Sequence, residues 1–243
     1  MRLDQAVAAR FPHISRRQAR ELIAGRRVLV NERPVAIASR EVRDQDRIAV
    51  VDEKPQIDIV KITEGFVAAN KPAGTPTQPT RDRKQRSLEE MLRVEYRSLF
   101  LVHRLDTGTS GLVVFGRTRD AAASLSGLFA SREIRKTYLA RVAGKIEDEV
   151  TIESPIGGKE ALTIVRPRDE GLIEAEIRTG RTHQIRIHLA SIGHPVIGDR
   201  RYGGPKAPRL MLHAWKLEHE TIGALEAPPP DDLIRSPAPW KPK

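Results

Sequence analysis

Apolar positions near the start of the chain recur at helical spacing. Leu3, Ala6 and Val7 share one face, and Ala19, Leu22 and Ile23 repeat the pattern on a second segment. Ser15 with Gln18 three residues later forms a capping box that opens the second helix, and Gly25 ends it. Short runs at Val28–Val30, Val35–Ile37 and Arg47–Val51 then predict strands, joined by turns at Asn31-Glu32 and Asp44–Asp46. The Lys54-Pro55 step closes this unit. The chain therefore divides into a small domain, 1–54, and a larger one, 55–243.

In the larger domain the rhythm changes. Apolar runs predict strands at Ile57–Val60, Phe66–Ala69, Leu99–Val102, Leu112–Phe115, Arg135–Val142, Leu172–Arg178 and Arg209–Leu217. A capping box at Ser87–Glu90 opens one helix, and Arg119–Phe129 reads as another with Leu125, Leu128 and Phe129 inward. Thr182 is placed to cap a helix over His183–Ile192, ended by Gly193 and Pro195, with Ile185, Leu189 and Ile192 as its stripe. Lys71–Thr80 is a proline-punctuated loop. Arg81–Arg86 is a basic surface run, with an RNA contact as its second reading. Ala227–Lys243 is proline-rich and predicted irregular. Helices and strands mix without an internal repeat, which gives an α+β class.

Charge changes the picture. The 243 residues are 39% apolar and 30% charged, with a net charge of +10, which points to an anionic partner. Arg16, Arg17 and Arg20 crowd the first turns of the second helix, where the dipole favours acidic residues. Phosphate binding explains that choice, and a solvated basic face is the alternative. Cysteine is absent, so disulfides and thiolate metal sites are excluded. No apolar stretch reaches signal-peptide or membrane-spanning length, so the expected location is cytoplasmic, away from membranes.

Candidate chemistry sits between the runs ending at Val102 and starting at Leu112. There, His103, Arg104, Asp106, Thr107, Gly108, Thr109, Ser110 and Gly111 form a polar turn. A carboxylate between buried strands is costly to ionise unless turn N–H groups and a cation compensate. Asp106 either caps the turn or is a reactive group aimed by it. Arg186 lies one residue round from Ile185, beside the stripe, so it is partly buried and needs a carboxylate. Pairing with Asp106 would keep that group ionised and oriented, as a nucleophile or base requires, or would simply pin two elements together.

Three motifs mislead. Asp106-Thr107-Gly108 matches an aspartic-protease triplet but occurs once, whereas such a site needs two carboxylates. Gly111–Thr118 approaches a phosphate-binding loop, but its middle is LVVF and Arg117 stands where lysine is needed. His183 and His188 are five apart, on different helix faces, so no metal site is expected.

Together the blocks carry two resemblances. RLDQAVAARFPHISRRQARELIAGRRVLVN and the later DRIAV resemble the RNA-binding module of the S-four type, departing at Glu32 and Gln45 where glycine is usual. ANKPAG, HRLDTGTSGL, RKTYLARVAG, TGRTHQIRIHLASIGHPVIGDRRYGG and RLMLHAWKL, in that order from about residue 57 to 232, resemble the RluA-type pseudouridine synthases. Gln78 and Glu64 depart from that pattern away from the expected catalytic set.

The resemblance implies a mixed β-sheet catalytic domain behind a small N-terminal α/β RNA-binding module. It implies an isomerase that detaches uridine at N1 and rejoins it through C5, without cofactor or metal. Asp106 would be the essential carboxylate and Arg186 its partner. Tyr138 would stack on the uracil, Leu212 would close the other side, and Arg104 would replace the extruded base. Arg16, Arg17, Arg20, Lys71, His103, Arg181 and His183 would bind RNA. Ribosomal RNA is the favoured partner and transfer RNA the alternative, with no obligate protein partner. A non-catalytic RNA-binding or assembly factor is the rival reading.

Overall fold

The helical spacing of the first residues is realised as α1 (Leu3–Arg10) and α2 (Arg16–Ala24). Leu3, Ala6, Val7, Ala19 and Ile23 are wholly excluded from solvent and form one core with Val28, Val30 and Val35. Both bonds of the capping box are present. The Gln18 N–H donates to Ser15 Oγ at 3.3 Å, and the Ser15 N–H donates to Gln18 Oε1 at 2.8 Å. A three-stranded antiparallel sheet follows: β1 (Val28–Val30) lies between β2 (Arg33–Val35) and β3 (Ile48–Val50). The second strand starts two residues earlier than the apolar run predicts, because the tight Asn31-Glu32 turn sets Val30 opposite Arg33. Both turn residues are left-handed, at φ 51° and 66°. Asn31 secures the turn: its Oδ1 accepts the Arg47 N–H at 2.9 Å and its Nδ2 donates to Asp46 Oδ1 at 2.8 Å.

The computed structural model describes residues 1–51, 57–80, 85–169 and 171–235. They fall into two units, one of Met1–Ile57 with Pro76–Leu99 and one of Asp58–Thr75 with Phe100–Lys243. The first unit thus takes in Pro76–Leu99, with α3 (Leu88–Leu92) and its Ser87–Glu90 capping box. The Lys54-Pro55 step and residues 81–84 of the basic run lie outside the described residues.

The second unit is built on one mixed sheet. Its strands are β4 (Asp58–Ile62), β5 (Phe66–Lys71), β6 (Phe100–Leu101), β7 (Ser110–Gly116), β8 (Arg135–Arg141), β9 (Val150–Ile152), β10 (Thr163–Asp169), β11 (Leu172–Ile177), β12 (Leu212–His219) and β13 (Gly223–Glu226). The order is β4-β5-β7-β12-β8-β11-β10-β9, with β6 against β7 and β13 against β12. Among these, β7 and β12 pair parallel, His213 opposite Ser110 and Ala214 opposite Gly111, and the other pairs are antiparallel. The helices are α4 (Arg119–Ala130), α5 (Gln184–Ser191) and α6 (Asp231–Ile234). One core gathers Ile185 and Leu189 of α5 with Leu139, Val165, Ile173 and Leu212 of the sheet. The other joins Phe66, Leu112, Val114 and Leu217 to Leu125 of α4.

Boundaries in the second unit also differ from the sequence reading. Ser110 and Gly111 belong to β7 rather than to the turn. Gly111 adopts φ 111°, and a Cβ there would stand 2.2 Å from the Ala214 carbonyl oxygen. Only glycine lets the parallel pair close. The last predicted strand starts at Leu212, because the Met211 N–H bonds Ile197 O and the Met211 carbonyl accepts the Arg141 N–H. Thr182 does not cap α5. His183 occupies that position in left-handed conformation (φ 57°, ψ 22°). The tail is not wholly irregular: α6 buries Leu233, and the Leu233 carbonyl accepts Arg141 Nε at 2.6 Å.

Candidate active site

The turn after β6 alternates in exposure. Leu105 is buried, Arg104 is exposed, and the Asp106 side chain is 28% exposed, so a buried leucine anchors a carboxylate that solvent can reach. The Asp106 carbonyl accepts the Thr109 N–H at 3.1 Å, which closes the turn. The loop after β5 braces it from the side. Both Lys71 Nζ (3.3 Å) and the Gly74 N–H (2.8 Å) donate to the Thr107 carbonyl.

Asp106 and Arg186, 80 positions apart in sequence, meet: Arg186 Nη1 donates to Asp106 Oδ2 at 3.0 Å. The partly buried arginine inferred from the stripe on α5 thus has its carboxylate. It also has a second one, which the sequence reading missed. Arg186 Nε and Nη2 grip Asp199 Oδ2 and Oδ1 at 2.6 and 2.9 Å, a bidentate pair with a wholly buried side chain. The Arg201 and Tyr202 N–H groups also donate to Asp199 Oδ1, at 3.1 and 3.3 Å. The hydrogen bonds that Arg186 donates to Asp199 raise its pKa most, and burial opposes this. Against its burial, Asp199 is held below its ordinary pKa by Arg186. A signal for Asp199 existed: it is a second aspartate in a glycine-flanked turn, the feature that singled out Asp106.

His183 completes the ring. Its Nε2 lies 3.4 Å from Asp106 Oδ2 and its Nδ1 is 2.9 Å from the Tyr202 hydroxyl. Burial lowers the His183 pKa; Asp106 opposes this, while Arg186 and Arg201 reinforce it. Tyr202 also lies under the Arg186 guanidinium, 5.1 Å from ring centroid to Cζ. Arg186 and His183 approach the same oxygen, Oδ2. Among the described residues, Oδ1 has no hydrogen-bond partner.

Tyr138 on β8 lies opposite Ala214, and Leu212 on β12 lies opposite Ala140, so both side chains occupy one face of the sheet. Burial raises the Tyr138 hydroxyl pKa, and the Asp106 charge adds to the effect, which places the phenol within that field. Arg104 is exposed and makes no hydrogen bond or ion pair with a described residue. Arg181 Nε donates to the Glu160 carbonyl at 2.9 Å.

Two expected RNA contacts are corrected. Lys71 is fully buried, and its Nζ donates to the carbonyls of Pro72, Thr75 and Thr107 at 3.1, 2.7 and 3.3 Å. Three acceptors satisfy all three ammonium protons, so no donor is left for a phosphate. Burial pulls its pKa down to about 7, with Asp106 opposing. His103 stacks on Phe129 with centroids 4.2 Å apart, and its Nε2 accepts the Val114 N–H at 3.1 Å. Burial, with Lys136 adding, pushes its pKa to about 3, so the ring is a neutral brace between turn and strand.

In the first unit, Arg16 and Arg20 have an internal purpose that the dipole argument overlooked. Their Nε atoms donate to Asp4 Oδ2 at 3.1 and 2.9 Å, and Arg2 Nε donates to Oδ1 at 3.3 Å. Asp4 is wholly buried. Arg17, 85% exposed and 3.8 Å from Glu21, is not part of this cluster.

A family model described as RNA pseudouridylate synthase matches residues 65–191, and one described as S4 domain matches residues 1–48. A ribosomal large subunit pseudouridine synthase D from Nitrosomonas europaea is 31% identical over 96% of this chain and 82% of its own. Its Escherichia coli K12 namesake is 31% identical, over 96% and 88%. An RNA pseudouridine synthase of Bacillus subtilis, itself uncharacterized, is 34% identical over 79% of this chain and 75% of its own. The solved human RNA pseudouridylate synthase domain containing 1 superposes with a TM-score of 0.61 at 27% identity, covering 74% of this chain and 85% of its own. With the family model spanning more than half of the sequence and relatives above 30% identity matched over most of their length, the chain belongs to the RNA pseudouridine synthases of the RluA type and carries an S4 domain at its N-terminus.

Proposed function

We propose that Asp106 is the essential carboxylate of uridine isomerisation and that the substrate uridine lies in ribosomal RNA of the large subunit. One observation carries the first part. Asp106 is fixed through Oδ2 alone, by Arg186 at 3.0 Å, while Oδ1 faces no described donor. That is the state of a carboxylate that must react and still be aimed. In the reaction the N1–C1′ bond breaks and a C5–C1′ bond forms; C5 loses its proton and N1 gains one. The sum is an isomerisation that balances without a co-reactant. Oδ1 either attacks C1′ or takes the C2′ proton. Tyr138 stacks against the uracil, Leu212 borders the same face, and the unengaged Arg104 fills the gap left in the RNA stack, which offsets unstacking of a few kcal/mol.

The names of the Nitrosomonas and Escherichia relatives support the ribosomal substrate. The basic S4 module supports a structured RNA: the Nε atoms of Arg16 and Arg20 are committed to Asp4, but their Nη edges have no partner among the described residues, and Arg17 is free to meet phosphate.

Purified protein is expected to release tritium from C5 of labelled uridine in large-subunit ribosomal RNA, and Asp106→Asn is expected to lower the rate by about 10²–10⁴-fold. Release from transfer RNA but not ribosomal RNA would overturn the substrate assignment. Binding without release would return the chain to the assembly-factor reading.

A further inference from the structure

We propose that Asp199 is a positioning residue for the isomerisation: it orients Arg186 so that Nη1 holds Oδ2 of Asp106 and leaves Oδ1 as the reacting oxygen. This rests on the reading of Asp106 above.

The guanidinium of Arg186 is a planar fork whose geometry is set by whatever grips its other edge. Asp106 provides only one bond to it, through Nη1, and a single bond leaves the fork free to rotate. Asp199 removes that freedom with two bonds, at 2.6 and 2.9 Å. Asp199 is itself immobilised. Its side chain has no solvent exposure, and its Oδ1 accepts two backbone N–H groups. Its turn is also fixed by packing: Gly198 sits at φ 83°, where a Cβ would lie 1.8 Å from the Arg209 carbonyl oxygen. Tyr202, three residues further on, lies under the guanidinium and directs its hydroxyl to His183, whose other nitrogen faces the same Oδ2. Every link therefore starts in the Asp199 turn and ends on one oxygen of Asp106. A purely structural ion pair would not require the second edge of the fork to reach a carboxylate that is 28% exposed.

The test is a double-mutant cycle on the full chain with Asp199→Asn, Arg186→Lys and both together. Single-turnover tritium release at saturating enzyme gives the rate constant, and titration with the same RNA gives Kd. Asp199→Asn is expected to slow the rate constant by about 10²-fold, the cost of an ångström of misplacement, with Kd changed less than about threefold. The double variant is expected to be no slower than the slower single, because both changes break one device. A rate for Asp199→Asn within threefold of the unaltered chain, or losses that multiply in the double variant, would overturn the proposal. So would a Kd that weakens in step with the rate, the mark of a general structural fault. Should Asp199→Asn not fold, the unaltered chain still decides. The bidentate grip requires a slowly exchanging Arg186 Nε–H resonance that Arg186→Lys removes, and fast exchange at that nitrogen would refute the grip. If Asp106→Asn keeps full activity, the reading of Asp106 fails; if it is dead while Asp199→Asn is normal, only this inference fails.

Discussion

Each unit of the molecule contains an aspartate held by arginine, and the two are held differently. In the first unit Asp4 is wholly buried, and three guanidinium Nε atoms occupy both of its oxygens. Burial raises its pKa, but the Arg20 and Arg16 bonds outweigh that and bring it down to about 2. In the second unit Asp106 is 28% exposed and is bound through one oxygen, while the matching guanidinium is immobilised by a different carboxylate. The same two residue types give a closed cross-link in one place and, in the other, a carboxylate with one oxygen left without a described partner. The difference lies in how many lone pairs are left over and in whether solvent can reach them.

Exchanging each aspartate for asparagine should separate the two roles most sharply. Asp106→Asn should remove nearly all turnover yet leave the melting temperature within a few degrees, because only one bond to a part-exposed side chain is weakened. Asp4→Asn should do the reverse. It should cost the first unit about 1–3 kcal/mol, seen in thermal melting, since a buried carboxylate loses its charge beside three cations that can still reach water. Turnover at saturating RNA should persist. Equal losses of stability in both variants would erase the distinction.

Acid should also act on the two units differently. Burial pushes the pKa of His213 down to about 4 and that of His103 to about 3. Between the ordinary value of 6.5 and those values the unfolded chain binds the extra protons, so the second unit loses stability as pH falls from about 6.5 towards 4. Each group contributes at most about 1.4 kcal/mol per pH unit. Asp4 responds in the same direction, but in a lower pH window. Its stabilisation is complete above 3.8 and is lost only as pH falls towards 2. Fluorescence of Trp215 on β12 should therefore report destabilisation of the second unit well before the first unit responds. A melting temperature of the second unit that stays flat from pH 6.5 to 4.5 would contradict this.

The smallest expected effects concern the arginines themselves. Arg17→Ala should reduce the salt dependence of RNA binding by about one counterion without touching stability, because Arg17 is not bound to Asp4. Arg16→Ala should change both. An unchanged salt slope in Arg17→Ala would assign that side chain to a solvated face.

The contrast also explains which features the amino-acid sequence reveals. The Asp106–Arg186 pair was legible because the buried position of Arg186 followed from the stripe on α5, whereas Tyr138 and Leu212 were named only through the resemblance. Asp199 stayed hidden because a helix stripe shows that an arginine needs a carboxylate but does not count how many. Lys71 and His103 were misread because lysine and histidine in a basic chain default to the surface. Here backbone carbonyls and a phenylalanine ring, which leave no mark in composition, draw them inward. Strand β10 was missed because Pro167 and three charged residues interrupt its apolar rhythm, and β9 and β13 because they are only 3 and 4 residues long.

The parallel seam between β7 and β12 has a consequence for how the enzyme is made. The strand that fills the middle of the sheet is supplied by a segment about a hundred residues after the turn bearing Asp106. A nascent chain that has emerged only through α5 has β7 and β8 but nothing to join them. Assembly must wait for a long-range insertion, which is slow in folding terms. Catalytic competence therefore arrives late in synthesis, all at once, when β12 slides between its two neighbours.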